Sequence, residues 1–512
     1  MLQREFPTEV DLLILGGGIT GSTLLSVTSN SGRKTLLVEK NDFASGTSQS
    51  SGMMVWGGLL YMKNLEFLLV RQYCKSRDWL VKNSTSVTPR RFNYLPLVKG
   101  GRSSLFMKFA LFFYWILSGF VRGGVRTFSK SNFPESWDIN RFKKGISYEE
   151  AFLTQSDSQY SFDWLKQCPQ GSYARNYCEP VKIVWNAGSA VYDVILRDKI
   201  GKRNICVKAK NVVNCCGVWA DEVNQQFSIR TKYCHHLSKG VYLLLEKQVR
   251  DDALVVDMEE NGDTLCWVPW GPTVMWGPTE TDLDDLQQIQ VDTKDIKFLL
   301  DKLNNNSTKK WTEADIKNVR VGVRPLPKLP NQKVVYSLDL SRKAIIEQAP
   351  IGKWWSVFGG KLSGGYNDSH KIYKKIFDGS APILSQQYLN KPNYITHLFY
   401  NKKIKCPQWC KSEEHVFFLE DYLRRRTNLA QWISRSGFGR KGEFAEDIYH
   451  IALLLHQDVE AANYDYNQYR ERVLREEKKW KSQQYWEDLP PLHAINLNLQ
   501  TVNAGPISGK MS

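Results

Sequence analysis

The sequence predicts an α/β (α+β) chain in three parts: a strand–turn–helix domain, an antiparallel sheet and a helical C-terminal domain. Three observations lead there. An apolar run, Leu12 to Leu15, ends in Gly16-Gly17-Gly18-Ile19-Thr20-Gly21 and passes into a helix-like stretch. Two more apolar runs, far downstream, also end in glycines, at Gly217 and at Gly359-Gly360. Beyond Gly379 the strand signals fade and apolar residues recur at helical spacing.

The first junction has the layout of a Rossmann-like dinucleotide-binding turn. Gly16 permits the tight turn off the strand, Gly18 lets the backbone approach a pyrophosphate, and Gly21 lets the following helix pack closely on the sheet. The helix N-terminus then offers phosphates its unpaired N–H groups and the positive end of its dipole. A second apolar run, Thr35-Leu36-Leu37-Val38, closes on Glu39, where a carboxylate can accept both hydroxyls of a ribose.

Size and charge bound the rest. The chain's 512 residues exceed one core, and 42% apolar content supplies material for about three domains. Lys and Arg number 69 against 53 Asp and Glu, a net charge of +16, compatible with nucleic acid, an anionic membrane surface or anionic substrates. Basic clusters at Arg424-Arg425-Arg426, Lys402-Lys403-Ile404-Lys405 and Lys478 to Lys481 sit in no nucleic-acid module and read as solvated faces, so no nucleic-acid partner is expected. Ten cysteines lack regular spacing, and Cys406-x-x-x-Cys410 has no second pair or nearby histidines. This points to reduced thiols in a cytoplasmic setting and to no metal site. The opening MLQREFPTEV carries Glu5 and Glu9 and is unlike a secretory signal.

The most apolar segment, Leu105 to Phe120, is shorter than the ~20 residues that span a bilayer, and it contains Lys108. It reads as a buried helix of the second domain in preference to a helix lying in a membrane interface. Arg102, Arg122 and Arg126 beside it keep the interfacial reading open, as peripheral contact with the inner membrane face.

Strand patterns at Val181 to Trp185, Ala190 to Leu196 and Cys206 to Ala209 lead into Asn211-Val212-Val213-Asn214-Cys215-Cys216-Gly217, a strand and glycine turn with a helix beginning near Trp219. The third junction, Trp354 to Phe358 followed by Gly359-Gly360, opens a helix over Tyr366 to Phe377. Three such junctions can meet at one ligand on a sheet's carboxyl edge. Alternation over Leu237 to Leu245 and Leu265 to Trp276 predicts the antiparallel sheet that roofs it. Glu414 to Arg426, Ala445 to Gln457 and Asp465 to Lys479 predict the C-terminal helices. The expected parts are a discontinuous nucleotide-binding domain of residues 1–95, 145–230 and 335–385, a substrate domain of 96–144 and 231–334, a helical domain of 386–490 and a tail of 491–512.

In chain order, DLLILGGGITG, VEKNDFASGTSQSS with Gly57-Gly58 and Tyr61, NVVNCCGVWADEV, LSKG at Leu237, VGVRPL at Val321, SVFGGKL and LEDYLRRRT at Leu419 resemble the FAD-dependent glycerol-3-phosphate dehydrogenases, within the D-amino-acid-oxidase-like flavoproteins. The resemblance implies a Rossmann-like FAD-binding domain, hydride transfer from a substrate carbon to flavin N5, and delivery of electrons to a quinone or oxygen. It places Ser45, Thr47 and Ser48 along the pyrophosphate and ring, with Gly16, Gly18, Gly21, Glu39, Lys40, Gly57, Gly58, Val181, Gly217 and Trp219 completing the cofactor site. Gly359, Gly360, Lys361 and Leu362 fall beside the pyrimidine end, where an ammonium or a helix N-terminus stabilises reduced flavin. Lys361, Arg324, Tyr61 and Tyr242 map to catalytic positions, and Arg342 joins Arg324 and Lys361 in a cationic pocket whose forked donors suit anionic oxygens.

The chain also departs from the family. Where the family reads Lys-Leu-Ile-His-Gly-Gly-x-Arg-Tyr, this sequence runs from Met53 to Tyr61, and Met53, Trp56 and Leu60 stand for the lysine, histidine and arginine. A further family histidine becomes Tyr242, which takes a substrate proton only if neighbouring cations lower its pKa. Losing one phosphate-binding arginine costs roughly 1.5 to 3 kcal/mol. Met53, Trp56, Leu60 and Tyr242 make instead a wall for a bulkier, partly apolar organic substrate. The expectation is an FAD-dependent dehydrogenase or oxidase acting on a C–O or C–N bond of such a molecule, in a specialised biosynthetic role. A genuine glycerol-3-phosphate:quinone dehydrogenase and a non-catalytic flavin-binding protein are the alternatives.

Overall fold

The apolar run near the start of the chain becomes the strand Glu9–Leu15, set between Thr35–Val38 and Arg203–Asn214, all parallel. Strands covered on both faces read as continuous apolar runs, and Leu12, Leu13, Ile14, Leu36 and Leu37 are wholly buried. Tyr173–Arg175 extends the sheet on one side; Trp354–Phe358 and then antiparallel Ile345–Gln348 extend it on the other. The helices Ile19–Asn30 and Gly365–Phe377 lie together, their Thr23 and Ser369 hydroxyls 2.6 Å apart. The runs expected as separate strands at Cys206 to Ala209 and Asn211 to Asn214 are one strand, Arg203–Asn214. Its first half pairs antiparallel with Val191–Asp198 and its second half parallel with Glu9–Leu15.

The structure, a computed structural model, describes residues 5–129, 133–248, 252–258, 264–337, 340–384 and 392–495, and leaves the side chains of Leu60, Lys63 and Asn64 outside the description. The chain forms two units, Met1–Lys391 and Pro392–Ser512. The second sheet of the first unit has ten strands. Cys234–Glu246 pairs along its length with Ile316–Lys328, and the sheet continues through Thr273–Gly277, Thr264–Trp270 and Ala253–Asp257 to Val87–Leu95, Gly145–Leu153 and Met54–Val55. The run Leu265 to Trp276 is thus a hairpin of two strands, turning at Gly271 with φ +57°. Residues 87–95 and 145–153, expected in the nucleotide-binding part, join this second sheet, because strand periodicity does not encode which sheet a strand enters.

The segment expected as a buried helix forms Ser104–Leu117, yet only Met107, Leu111 and Tyr114 are buried in it. A helix apolar all round reads as buried from sequence alone; here one apolar face meets solvent.

The unit Pro392–Ser512 has a core of its own, around Leu419, Tyr422, Ile448, Ala452 and Tyr466, with helices Ala445–His456 and Val459–Glu477. Of the expected helix Glu414 to Arg426 the second half forms, as the wide-turned helix Asp421–Arg426, and a separate short helix, Pro407–Glu413, precedes the expected range. Of the Arg424 to Arg426 cluster, Arg425 and Arg426 are buried rather than solvated: Arg425 pairs with Asp421 at 2.6 Å, and Arg426 donates to the Glu414 carbonyl at 3.0 Å. Residues 496–512 of the expected tail lie outside the described residues.

Candidate active site

The carboxyl ends of the parallel strands open onto one cavity of about 1060 Å³, bordered by Leu15, Val38, Cys215 and Gly359. Its backbone is shaped for close approach by a ligand. Gly16 has φ +98°, and a side chain there would come within 2.7 Å of the Cys215 carbonyl. A Cβ at Gly21 would overlap the Gly16 carbonyl, so this glycine brings helix and strand together instead of lining the cavity. At the helix start the Ile19 N–H donates to Ser48 Oγ at 2.9 Å. The Glu39 carboxylate accepts from the Gly17 N–H at 2.7 Å and the Asn41 N–H at 2.9 Å.

Most residues expected at the cofactor border this space: Gly16, Gly18, Glu39, Lys40, Ser45, Thr47, Ser48, Gly58, Val181, Gly217, Trp219, Gly359, Gly360, Lys361 and Leu362. Gly57 does not. Its N–H donates to Glu150 at 3.2 Å, and its missing side chain makes room for the Tyr114 hydroxyl. Glu150 also pairs with Arg77 at 2.7 Å and accepts from Tyr114, so a wholly buried cluster fixes the turn from beneath.

At the reacting end, Lys361, Arg324, Arg342, Tyr61, Tyr242 and Trp56 all line the cavity. The Lys361 ammonium sits 4.2 Å from the Tyr61 ring centre and 4.0 Å from that of Tyr73. Although Lys361 borders the opening, loss of hydration to the surrounding protein, reinforced by Arg342, holds its ammonium well below the usual lysine range. Burial pushes the Tyr61 phenol up to about 12. Arg324 pairs with Glu280 at 2.9 Å and donates to Ser238 at 3.3 Å.

Three expectations need correction or completion. Tyr242 is not activated by its cations: burial pushes its phenol well above the usual value, outweighing Arg324, Arg320 and Arg342, and so it stays protonated. Met53 is fully buried at φ +63° and does not reach the cavity; its neighbour Met54 does. Leu60's side chain lies outside the described residues. The sequence reading also missed Glu280, which follows the strand Thr273–Gly277 by three residues, and the apolar lining of Met258, Leu265, Cys266 and Phe298. An acid just past a strand end was a readable signal for Glu280; Tyr73 and Phe298, on helices Phe67–Asn83 and Thr293–Asn305, had none.

Residues 11–354 match the family model described as FAD dependent oxidoreductase. The chain belongs to that family. This FAD-dependent oxidoreductase is similar to the aerobic glycerol-3-phosphate dehydrogenase of Staphylococcus aureus (strain USA300), 30% identical over 373 residues, which cover 70% of this chain and 65% of that relative. The corresponding enzyme of Staphylococcus epidermidis (strain ATCC 12228 / FDA PCI 1200) is 28% identical over 393 residues, 74% of this chain and 68% of the relative. Among solved structures, the glycerol-3-phosphate dehydrogenase from Bacillus halodurans complexed with FAD superimposes with a TM-score of 0.67 at 17% identity, over 94% of this chain and 97% of that one, which shows a shared fold. FAD is the cofactor of this oxidoreductase, and the cradle of Gly16, Gly18, Ser48 and Glu39 fits its pyrophosphate and ribose.

Proposed function

We propose that this oxidoreductase oxidises a C–O or C–N bond in an organic substrate bulkier and more apolar than glycerol 3-phosphate, and passes the electrons to a quinone or to oxygen. The observation that supports this reading is the wall of Met54, Trp56, Met258, Leu265 and Phe298, lining the same cavity as Arg324, Arg342 and Lys361. When bound, FAD supplies a hydride acceptor at N5.

The chain's own groups would divide the remaining work. Arg342 has no carboxylate partner among the described residues and would hold an anionic or carbonyl group of the substrate. Arg324 shares its charge with Glu280 and orients rather than neutralises. For an alcohol, the hydroxyl proton leaves as the hydride departs, and Lys361, biased toward the neutral amine, would accept it. The ammonium so formed would remain between Tyr61 and Tyr73, beside Gly360 and Leu362. Tyr242 would donate a hydrogen bond, and Trp56 with Met54 would exclude water.

A second reading, glycerol 3-phosphate itself, is favoured by the names of the relatives and by the retained Arg324, Arg342 and Lys361. Anaerobic bleaching of the flavin absorbance separates the two. Larger alcohols or amines carrying an anionic group are expected to reduce the holoenzyme faster than glycerol 3-phosphate; fastest reduction by glycerol 3-phosphate would establish the second reading.

A further inference from the structure

We propose that His235 is a positioning residue of the flavin site, whose ring seats the Gly359–Gly360 turn and thereby places Gly360, Lys361 and Leu362 at the cavity. His235 is the second residue of the strand Cys234–Glu246 in the second sheet, and Gly359 follows Trp354–Phe358 of the first sheet. The Gly359 N–H donates to His235 Nε2 at 3.1 Å. On the far side of the ring, Nδ1 lies 3.1 Å from Asp221 Oδ2, and the same oxygen accepts the His235 backbone N–H at 2.9 Å.

These contacts fix the protonation pattern. A neutral imidazole has one donor and one acceptor nitrogen, so a ring that accepts at Nε2 carries its proton on Nδ1 and gives it to Asp221. Only that form satisfies both partners. Asp221 sits in the helix Ala220–Gln226, just past the second glycine junction at Gly217. One side chain thus joins the second junction to the third through a strand of the other sheet. Its neighbour His236 takes no part: it turns to Ser337 at 2.8 Å and Asp282 at 3.1 Å.

The turn needs such a partner. Pairing of Trp354–Phe358 with Ile345–Gln348 ends at Phe358, so the Gly359 N–H lies past the ladder and must find its acceptor elsewhere. Gly359 and Gly360 follow with φ +73° and +92°, in the left-handed region where glycine moves most freely. Packing restrains one side of Gly359, since a Cβ there would come within 2.8 Å of Pro327 and 3.2 Å of the Lys343 carbonyl. His235 restrains the other. Its side chain is 1% exposed and its ring lies 5.1 Å from that of Phe358. The backbone leading to it is pinned to the first sheet, where Glu347 accepts the Lys232 N–H at 2.7 Å and the Tyr233 N–H at 3.3 Å. Gly359, Gly360, Lys361 and Leu362 border the cavity and His235 and Asp221 do not, so the histidine acts through the turn. A turn left to wander would hold FAD less tightly and stabilise its reduced, more negative form less well.

The test uses the full chain loaded with FAD and needs no substrate. The flavin midpoint potential is read during slow anaerobic reduction by dithionite beside a reference dye, and FAD affinity by removing and restoring the flavin. His235→Leu fills the space of the ring without an acceptor; His235→Gln brings an amide oxygen to the place of Nε2. The Leu variant is expected to bind FAD at least tenfold more weakly. Its flavin should also favour the oxidised form tenfold more than wild type, about 30 mV lower in potential for a two-electron couple. The Gln variant should recover both to within about twofold. Leu and Gln fill similar space, so a loss of packing would not separate them. A Leu variant with wild-type affinity and potential, or a Gln variant as impaired as Leu, would overturn the proposal. Should either fail to fold, Asp221→Ala decides: that side chain is 37% exposed, and its removal frees Nδ1. The potential should fall there too, and an unchanged potential would overturn the assignment.

Discussion

Lys361→Met deletes one amine while keeping the length and bulk of the side chain, and so isolates the proton acceptor from the packing around it. The Lys361 nitrogen lies 4.2 and 4.0 Å from two tyrosine rings, a pairing that favours the ammonium by up to ~2 kcal/mol per desolvated ring. Burial and Arg342 act the other way and prevail, so the amine is poised to take a proton. A positioned general base contributes roughly 10²–10⁴-fold, which at 1.36 kcal/mol per decade is about 3 to 5 kcal/mol of barrier. Flavin reduction by an alcohol substrate should slow by that factor in the variant, with FAD still bound.

The pH profile supplies the sharper readout. In the wild type the reduction rate should rise with pH through the depressed value of Lys361 and level off before the ordinary lysine value of 10.5. Stability follows the same direction. Between the folded-state value and 10.5 the unfolded chain binds the extra proton, so stability increases as pH rises across that window, and below it the native state carries the full desolvation penalty. Anaerobic stopped-flow reduction from pH 6 to 10 measures the first effect and thermal melts measure the second. A Met variant with the wild-type rate and the same pH dependence would refute the assignment of Lys361.

Three other substitutions probe the scaffold. Glu150→Ala leaves Arg77, which is 1% exposed, without its 2.7 Å partner and strips the Gly57 N–H of its acceptor; a loss of ~3–5 kcal/mol in urea unfolding is expected, and an unchanged midpoint would exclude a bracing role. Gly16→Ala forces a side chain against the Cys215 carbonyl at φ +98°, so the purified protein should lack the yellow flavin absorbance that wild type carries. Burial would raise the Glu420 carboxyl, but Arg472, Arg425 and Arg424 outweigh it and hold it at about 2 instead of 4.5. Its stabilising contribution is complete above 4.5 and is lost as pH falls from there toward 2, and Glu420→Gln should flatten the melting temperature across that window.

The cofactor half of the site was legible because its determinants are local. Gly16, Gly18 and Glu39 act through backbone conformation and strand ends, and a glycine that must adopt φ +98° announces itself in sequence. The substrate half depends on facing that sequence does not carry. Met53 and Met54 are adjacent, yet the positive φ of Met53 turns it inward and presents Met54 to the cavity. Gly57 and Gly58 likewise differ: one bears on Tyr114 and Glu150, the other on the cavity. The helix Ser104–Leu117 shows the same limit, since apolar residues on every face leave no periodic mark to separate the side that packs from the side that does not.

The reading of Tyr242 failed for a different reason, and the failure narrows the mechanism. Cations near a phenol lower its pKa only where desolvation does not exceed their attraction, and here burial is the larger effect. The same burial acts on Lys361 with the opposite consequence, because removing water favours the neutral form of each group: the protonated phenol in one case and the free amine in the other. Under the proposed function, burial thus leaves Tyr242 as a hydrogen-bond donor and biases Lys361 toward accepting the proton. On this reading, replacing the family histidine by Tyr242 costs the site no base, and the substitutions at Trp56 and Tyr242 alter which molecule fits without removing the means to oxidise it.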